Sequence, residues 1–308
     1  MRRFWIDTDT ASDDAVAIMM ALRWPDVKVE GISIVAGNVP VEMGSRNARY
    51  TAELCGVDVP VYEGARKPLM REPSWAHFFH GPDGMGGMNY PEPKRRAESA
   101  PAVGALIETV RTSPGEIHLV TLGPLTNIAL ALSLAPDLAD KIPACYVMGG
   151  AANTVGNISP AAEYNIWVDP EAARMVFASG LRIVMVGWEL CRGEANLDDD
   201  EMQMVRGFNT ERANFAIDCN KVGIATNRAW LGDPGLSLPD PVAMAVALNP
   251  AVLKRHSRHF VDVETLSELT RGMTVVDQLG VTKKPANVDV CWEIDIAVWK
   301  EMLYQTLR

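Results

Sequence analysis

The chain has 308 residues, of which 48% are hydrophobic and 22% are charged, a composition typical of a protein with a substantial apolar core. Its formal net charge of −10 argues against a nucleic-acid or anionic-membrane partner, because binding to phosphate groups relies on clustered Lys and Arg. The sequence therefore predicts a globular protein with neither kind of partner.

The five cysteines are widely scattered and form no C-x-x-C pair, so we expect neither a zinc site nor a disulfide framework. Asp7 interrupts the first apolar segment after only three residues, which argues against an export signal. We see no apolar run of membrane-spanning length in the sequence. These features predict a reducing compartment, the cytoplasm.

Short β-branched runs alternate with helix-compatible stretches along the chain. The predicted strands are 4–6, 29–35, 117–121, 144–148 and 183–186, followed by a closing strand and helix within NVDVCWEIDIAVWKEML. Helices are predicted at 15–23, 125–134 and 170–178. This alternation is typical of parallel βαβ units, and runs apolar on both faces, such as IVMV, suit a central sheet. We predict one α/β domain over residues 1–308, with a mostly parallel, Rossmann-like sheet and helices on both faces.

Polar and glycine-rich residues follow several of the predicted strands. In chain order they are Asp7 and Asp9, Gly37-Asn38, Leu122-Gly123-Pro124, and Gly149-Gly150. In an open parallel sheet the ligand crevice lies beyond the carboxyl ends of the strands. We therefore expect these groups to meet at one edge and form a site.

Four carboxylates, Asp7, Asp9, Asp13 and Asp14, fall within eight residues near the amino terminus. With Ser12 as a helix N-cap, Asp13 and Asp14 would lie in the first helical turn, where the dipole favours negative charge. Like charges this close raise one another's pKa unless a cation lies among them. Oxygen ligands favour a hard divalent ion, and several carboxylates with backbone carbonyls suit Ca²⁺ better than Mg²⁺.

Together with later segments, DTDTASDD resembles the inosine-uridine-preferring nucleoside hydrolases, which use Ca²⁺ to cleave the N-glycosidic bond of ribonucleosides to free base and ribose. The matching segments span nearly the whole chain. They are Gly37-Asn38, HGPDG at 80–84, LGPLTNIALAL at 122–132, MGG at 148–150, GNISPAAEYNIWVDPEAA at 156–173, PDP at 239–241 and RGMTVVD at 271–277.

The resemblance implies a role for each matching position. The ion would be held by Asp7, Asp14, the Leu122 carbonyl and Asp240, and Asp9 would be the general base. The ribose would be bound by Asp13, Asn38, Met148, Asn157, Glu163 and Asn165. Members of the family are usually dimers or tetramers, so a homodimer or homotetramer is implied as well.

The sequence departs from the family pattern at Pro239, where the best-known members have a His that is thought to protonate the leaving base. Candidates for a replacement acid are His77, His80 and Asp83, and aromatic rings against the base could instead come from Tyr164, Trp188 and Trp230. The glycine-rich segment 81–87 resembles a mobile flap over the substrate.

Two alternatives compete with this interpretation. A phosphatase of the haloacid-dehalogenase type would use Asp7 as its nucleophile with Mg²⁺, although Ala11 departs from that motif. A non-catalytic nucleoside- or ribose-binding protein on the same scaffold would be compatible with Pro239. Asp9 argues against the binding protein, because a pure binder has no need for a base beside the metal.

Overall fold

A computed structural model describes residues 1–232 and 235–308 of the chain. The strands are β1 (Arg2–Thr8), β2 (Val27–Ile34), β3 (Val61–Glu63), β4 (Ile117–Thr121), β5 (Cys145–Met148), β6 (Ile183–Val186), β7 (Leu253–Val263), β8 (Thr274–Asp277) and β9 (Val288–Ile294). The helices are α1 (Ser12–Arg23), α2 (Val41–Leu54), α3 (His77–His80), α4 (Ala102–Thr112), α5 (Thr126–Leu134), α6 (Tyr164–Val168), α7 (Pro170–Phe177), α8 (Asp199–Arg206), α9 (Glu211–Asp218), α10 (Lys221–Thr226), α11 (Pro239–Leu248) and α12 (Ile296–Leu307). Two shorter helical turns matter for the site, the 3₁₀ turn Trp188–Cys191 and the π-helical turn Asn227–Leu231.

The strands form one sheet in the order β3-β2-β1-β4-β5-β6-β9-β7-β8. Every pair from β3 to β9 is parallel, whereas β7 runs antiparallel to both β9 and β8. The predicted fold class, a mostly parallel α/β sheet with flanking helices, is confirmed. The carboxyl ends of β1, β2, β4, β5 and β6 consequently lie side by side along one edge.

Alternation along β1 explains why both faces of the sheet are covered. Phe4 and Ile6 belong to an apolar cluster that includes α1 and α11, whereas the intervening Trp5 belongs to a second cluster that includes α5 and α7. Successive side chains of a strand point to opposite faces of the sheet. A strand with apolar residues on both faces therefore needs helices on both sides. Both faces of the sheet are therefore covered by apolar packing.

The start of α1 differs from the prediction. Ser12 is the first helical residue and Ala11 is the N-cap, so the assignment of Ser12 as the cap is wrong. The Asp14 carboxylate accepts the backbone N–H of Ala11 at 2.9 Å, which replaces a hydroxyl cap. The Ser12 hydroxyl instead pairs with His80 Nδ1 at 2.8 Å. The Ser12 hydroxyl, which the local sequence assigns to capping the helix, therefore pairs with His80, a residue distant in the sequence.

No helix in residues 1–232 and 235–308 combines the length and apolarity needed to cross a bilayer. The five cysteines are all free thiols, and every one except Cys55 is buried. Both observations agree with the expectations drawn from the sequence about spans and disulfides.

Candidate active site

A pocket opens at the carboxyl edge of the sheet, with about 930 Å³ of space including its open mouth. Pro239 contributes to its wall, and so do twelve of the predicted site residues: Asp13, Asn38, His80, Leu122, Met148, Asn157, Glu163, Tyr164, Asn165, Trp188, Trp230 and Asp240.

Three carboxylates converge at the inner end of this pocket. Oxygens of Asp13, Asp14 and Asp240 lie within 4.8 Å of one another, and all three side chains are buried. Asp14 is fixed by the Thr8 hydroxyl at 2.5 Å and by the Asn38 amide at 3.3 Å. The first two residues come from the start of α1 and the third from the start of α11, so two helix N-termini direct their dipoles at the cluster.

Asp9 lies behind the pocket wall, next to Asp14. Its Oδ2 accepts the backbone N–H of Asn38 at 2.5 Å, and its Oδ1 is buried without a hydrogen-bond partner among the described residues. A side chain at Gly37 would place its Cβ 2.1 Å from Asp9 Oδ2, and one at Gly123 would place it 2.7 Å from Oδ1. The two glycines after β2 and β4 are therefore required for Asp9 to fit between these loops.

Burial makes this group of acids difficult to ionise together. Burial and, secondly, the charge of Asp14 raise the pKa of Asp13 to about 8, and the same causes raise the pKa values of Asp9 and Asp240 well above their usual range. Burial also raises the pKa of Asp14. A cation among the oxygens would remove this penalty.

The residues present fit such a cation. Oδ1 of Asp13, like that of Asp9, is buried and lacks a hydrogen-bond partner in the described part of the chain. Unsatisfied buried carboxylate oxygens are costly unless they are paired or coordinate a metal. An all-oxygen donor set of this kind suits a hard divalent ion.

Asp7 is placed differently from its neighbours. Its Oδ1 accepts hydrogen bonds from the Ser33 hydroxyl and from Asn127 Nδ2, the latter at 2.8 Å, while Trp5 Nε1 donates to Ser33 at 2.9 Å. Burial raises the pKa of Asp7 to about 7. It belongs neither to the three converging carboxylates nor to the pocket wall. Its Oδ2 is buried and has no hydrogen-bond partner among the described residues. The metal-binding role of Asp7 stays a prediction, and the three converging carboxylates bring Asp13 beside Asp14 and Asp240.

Asn165 links two strand ends beside the pocket. Its amide Nδ2 donates to the Leu122 carbonyl at 2.8 Å and to the Met148 carbonyl at 3.3 Å. The ends of β4 and β5 are therefore linked through one side chain. The Leu122 carbonyl, which the family resemblance assigns to the metal, retains a second lone pair beside this bond.

Glu163 is both a helix cap and a pocket residue. Its carboxylate accepts the backbone N–H groups of Asn165 at 2.8 Å, Gly150 at 2.9 Å and Ile166 at 3.2 Å. Burial nevertheless raises its pKa to about 7. Asn157 acts similarly, since its Oδ1 accepts the N–H of Tyr164 at 2.9 Å.

Tyr164 holds two loops rather than presenting an open ring. Its hydroxyl donates to the carbonyls of Gly37 and Ser74, both at 2.9 Å, and the side chain is buried. Trp188 is also buried, with Nε1 donating to the Val155 carbonyl at 2.8 Å. In contrast, Trp230 is 68% exposed and stacks on Phe78 with a 5.4 Å centroid separation.

Only one of the three predicted acids reaches the pocket. His77 and Asp83 do not contribute to the wall. Asp83 instead accepts three backbone N–H groups, from Met85, Gly87 and Asn89, and these bonds outweigh burial and lower its pKa. The glycine-rich segment predicted as a flap likewise does not line the pocket, and Met85 within it is buried.

His80 lines the pocket and is buried, with Nδ1 3.7 Å from Asp13 Oδ1 in addition to its contact with Ser12. Burial and then the charge of His77 lower its pKa to about 3. The imidazole is therefore neutral at pH 7, and it can form hydrogen bonds to a ligand.

The sequence did not point to several pocket residues, in particular Arg192, Thr226, Asn227 and Ser237. The sequence could have predicted Arg192 as a pocket residue. It follows the predicted strand 183–186, in the turn after β6, and so belongs to the same sheet edge as Trp188. The residues from α10 and the following π-helical turn have no such signal, since they reach the pocket only through helix packing.

Comparison with known proteins identifies the chain. A family model described as inosine-uridine preferring nucleoside hydrolase matches residues 4–301. The pyrimidine-specific ribonucleoside hydrolase RihB of Escherichia coli is 38% identical over 294 residues, which cover 96% of this chain and 93% of that protein.

Solved structures agree with this match. A plant nucleoside hydrolase, PpNRh1, has a TM-score of 0.94 at 30% identity, covering 99% of this chain and 98% of the other. A purine-preferring ribonucleoside hydrolase from Gardnerella vaginalis has a TM-score of 0.91 at 30% identity, with the same coverage of 99% and 98%. The chain therefore belongs to the inosine-uridine preferring nucleoside hydrolase family and is a ribonucleoside hydrolase.

Proposed function

We propose that this enzyme hydrolyses the N-glycosidic bond of ribonucleosides with Ca²⁺ in the aspartate cluster and Asp9 as the general base. The observation that carries the proposal is the buried group Asp13, Asp14 and Asp240, with an unpaired oxygen of Asp9 close behind it. Asp13 and Asp240 line a pocket whose other lining residues include the carboxylate and amide groups of Asn38, Asn157, Glu163 and Asn165.

The proposed ion ligands are Asp13, Asp14, Asp240 and the Leu122 carbonyl. Asp13 replaces Asp7 in this set because of the contacts described above. When bound, a divalent ion at this position acidifies its coordinated water and orients the ribose diol. Ca²⁺ is favoured over Mg²⁺ because the cluster offers several carboxylates, and Ca²⁺ accepts higher and less regular coordination.

The chain's own residues then perform three tasks. Asp9 Oδ1 accepts the proton of the attacking water, a role that requires an unpaired acceptor. Asn38, Asn157, Glu163 and Asn165 bind the ribose hydroxyls, and Met148 packs against the sugar. Positive charge develops on the ribosyl ring as the bond breaks, so the surrounding carboxylate and amide oxygens stabilise the transition state more than the substrate.

The two alternatives receive less support. A dehalogenase-type phosphatase needs Asp7 as an accessible nucleophile, but Asp7 is 1% exposed and lies outside the pocket wall. The family match also supports a nucleoside hydrolase rather than that class of enzyme. A non-catalytic binder would leave the buried, unpaired oxygen of Asp9 without a purpose.

We further propose that the enzyme is a cytoplasmic homodimer or homotetramer whose partner is a small-molecule nucleoside. Five free thiols support a reducing compartment. The net charge of −10 supports the expectation that nucleic acid is not a partner. Light scattering of the purified protein tests the oligomeric state.

The central experiment is to incubate the purified protein with inosine, guanosine, adenosine, uridine and cytidine, and to measure free ribose. We expect ribose from at least one nucleoside in the presence of Ca²⁺ and none after chelation. Absence of release from all five, in protein with Ca²⁺ bound, would contradict the proposal. Phosphate release from a phosphomonoester with Mg²⁺ would favour the phosphatase instead.

A further inference from the structure

We propose that the segment 271–274, which lies outside the pocket wall, is a positioning element that orients the Glu163 carboxylate for the ribose. This role rests on the proposed function, in which Glu163 binds a ribose hydroxyl. Arg271 and Thr274 belong to the RGMTVVD sequence, which matches the family pattern but contributes no residue to the pocket wall. Their contacts give this sequence a task in the reaction.

The Glu163 carboxylate is held by two separate pieces of backbone. The N–H groups of Asn165 and Ile166, in the first turn of α6, donate to it at 2.8 and 3.2 Å. The N–H of Gly150, in the loop after β5, donates to Oε2 at 2.9 Å. The direction of the carboxylate therefore depends on where α6 and this loop lie relative to each other.

Thr274 holds the loop after β5. Its hydroxyl accepts the backbone N–H of Ala151 at 2.9 Å and donates to the carbonyl of the same residue, also at 2.9 Å. The preceding residue, Gly150, has a φ of +86°, and a Cβ there would lie 2.9 Å from Thr274 Cγ2. Thr274 is 3% exposed and therefore packs directly against the glycine whose N–H binds Glu163.

Arg271 holds the carboxyl end of α6. Its Nε donates to the Trp167 carbonyl at 3.0 Å, and its Nη2 donates to the Val168 carbonyl at 3.4 Å. Its guanidinium carbon lies 4.1 Å from the ring centroid of Trp167. The last carbonyls of a helix lack partners within the helix, and arginine side chains can satisfy them. Arg271 thereby fixes the short helix whose first turn binds Glu163.

Gly272 allows the segment to approach α6 closely. It has a φ of +76°, and a Cβ at this position would lie 2.6 Å from Trp167 Cα. Its N–H donates to the Glu264 carbonyl at 2.9 Å, which closes the turn before β8. One short segment therefore contacts both pieces of backbone that bind Glu163, and a shift of either piece would turn the carboxylate.

The test is a double-mutant cycle between Thr274→Val and Glu163→Ala, measured as ribose release from uridine and from inosine. Valine keeps the shape of threonine but lacks the hydroxyl. We expect Thr274→Val alone to lower kcat/KM about 10- to 10²-fold, because a small displacement of a substrate-binding group can cost that much. In the Glu163→Ala background the same change should cost less than about threefold, since no carboxylate remains to be positioned.

Two conservative variants extend the cycle. Thr274→Ser keeps the hydroxyl, so kcat/KM should stay within about threefold of the wild type. Arg271→Lys keeps the charge but loses the planar fork that reaches two carbonyls, so we expect a loss of about tenfold. That loss should also disappear in the Glu163→Ala background.

Thr306→Val is the matched control. Thr306 is also buried, and its hydroxyl donates to the Met302 carbonyl at 3.1 Å within α12, away from the pocket. This variant should leave kcat/KM unchanged. Thermal unfolding and calcium affinity of each variant report whether the fold and the aspartate cluster are intact.

Equal losses from Thr274→Val with and without Glu163 would overturn the proposal, because the hydroxyl would then act on the fold as a whole. Unchanged kinetics in Thr274→Val, or the same loss in Thr306→Val, would also overturn it. If Thr274→Val does not fold, the cycle between Arg271→Lys and Glu163→Ala decides by the same criterion. Failure of the proposed function is distinguishable, because the wild type with Ca²⁺ bound would then release no ribose, and both proposals would fall.

Discussion

The two sides of the pocket are built in different ways. On the side of the aspartate cluster, Asp14, Glu163 and Asn165 are buried and each makes several hydrogen bonds to backbone or side-chain groups. On the opposite side, Phe78 is 44% exposed and Trp230 is 68% exposed, and their rings stack on each other. One side is fixed by the sheet, and the other is carried by short helical segments.

This difference indicates which pocket side chains the fold holds in place. The carboxyl ends of β1, β4 and β5 are tied together by backbone and amide hydrogen bonds, so their side chains have little freedom. Thr226, the last residue of α10, donates its hydroxyl to the Phe78 carbonyl at 3.2 Å, and the π-helical turn that follows carries Trp230, whose ring stacks on Phe78.

Removal of the metal should have the largest effect, and only on the cluster side. The pKa values of Asp9 and Asp240 are raised and that of Asp13 is about 8, all above their unfolded values, so in metal-free protein their contribution to stability is present below about pH 4 and is lost as pH rises toward 8. We expect chelated protein to lose several kcal/mol of unfolding free energy between pH 5 and 8. Thermal unfolding at pH 5.5, 7 and 8, with and without Ca²⁺, measures this; a flat profile without metal would contradict it.

Asp9→Asn should separate catalysis from binding within the same side. Loss of the general base should lower kcat by about 10²- to 10⁴-fold while calcium affinity changes little. Asp7→Asn is the control, because its amide oxygen can still accept from Ser33 and Asn127, and we expect less than about tenfold loss of kcat. Steady-state kinetics and calcium titration report both. A parallel loss of metal binding in Asp9→Asn would show that its role is misassigned.

Glu163→Gln should remove a pH-dependent contribution to the free energy of unfolding. The pKa of Glu163 is raised to about 7, so its protonation stabilises the folded state fully below the unfolded pKa of about 4.5, and that contribution is lost as pH rises through 7. Denaturant unfolding of the wild type should therefore show a decline, on the order of 2 to 3 kcal/mol between pH 5 and 8, that is absent in the variant. Equal slopes in the two proteins would contradict the assignment.

Substitutions on the side of Phe78 and Trp230, opposite the aspartate cluster, should have the smallest effects on stability. Trp230→Ala removes an exposed aromatic stack, which is worth about 0.5 to 1.5 kcal/mol, so unfolding should change little. Calcium affinity should not change. If the ring contacts the base, KM should rise by about tenfold or less with kcat nearly constant, as kinetics on two nucleosides would reveal. A large loss of calcium affinity in Trp230→Ala would contradict the conclusion that the two sides of the pocket act independently.

The sequence itself determined the sheet and most of the cluster side. Periodicity placed the strands at 117–121 and 183–186 with the bounds found in β4 and β6, because short runs apolar on both faces have few alternatives in an α/β chain. Residues that follow such strands share the carboxyl edge, and for that reason Asn38, Leu122 and Gly149 are predicted to meet, whereas the role of Met148 follows only from the family resemblance. Glu163 and Asn165 followed from their motif and indeed share the pocket.

The tertiary structure decided side-chain contacts that the spacing of residues in the sequence does not predict. Asp7 and Asp9 are two residues apart, yet Ser33 and Asn127 hold the first while Gly37 and Gly123 leave room for the second. Ser12 pairs with His80 across 68 positions instead of capping its own helix. Arg192, Asn227 and Ser237 reach the pocket by packing of distant segments. Local patterns specify which elements form and which edge they share, but the partner of each side chain depends on long-range contacts that only the folded chain establishes.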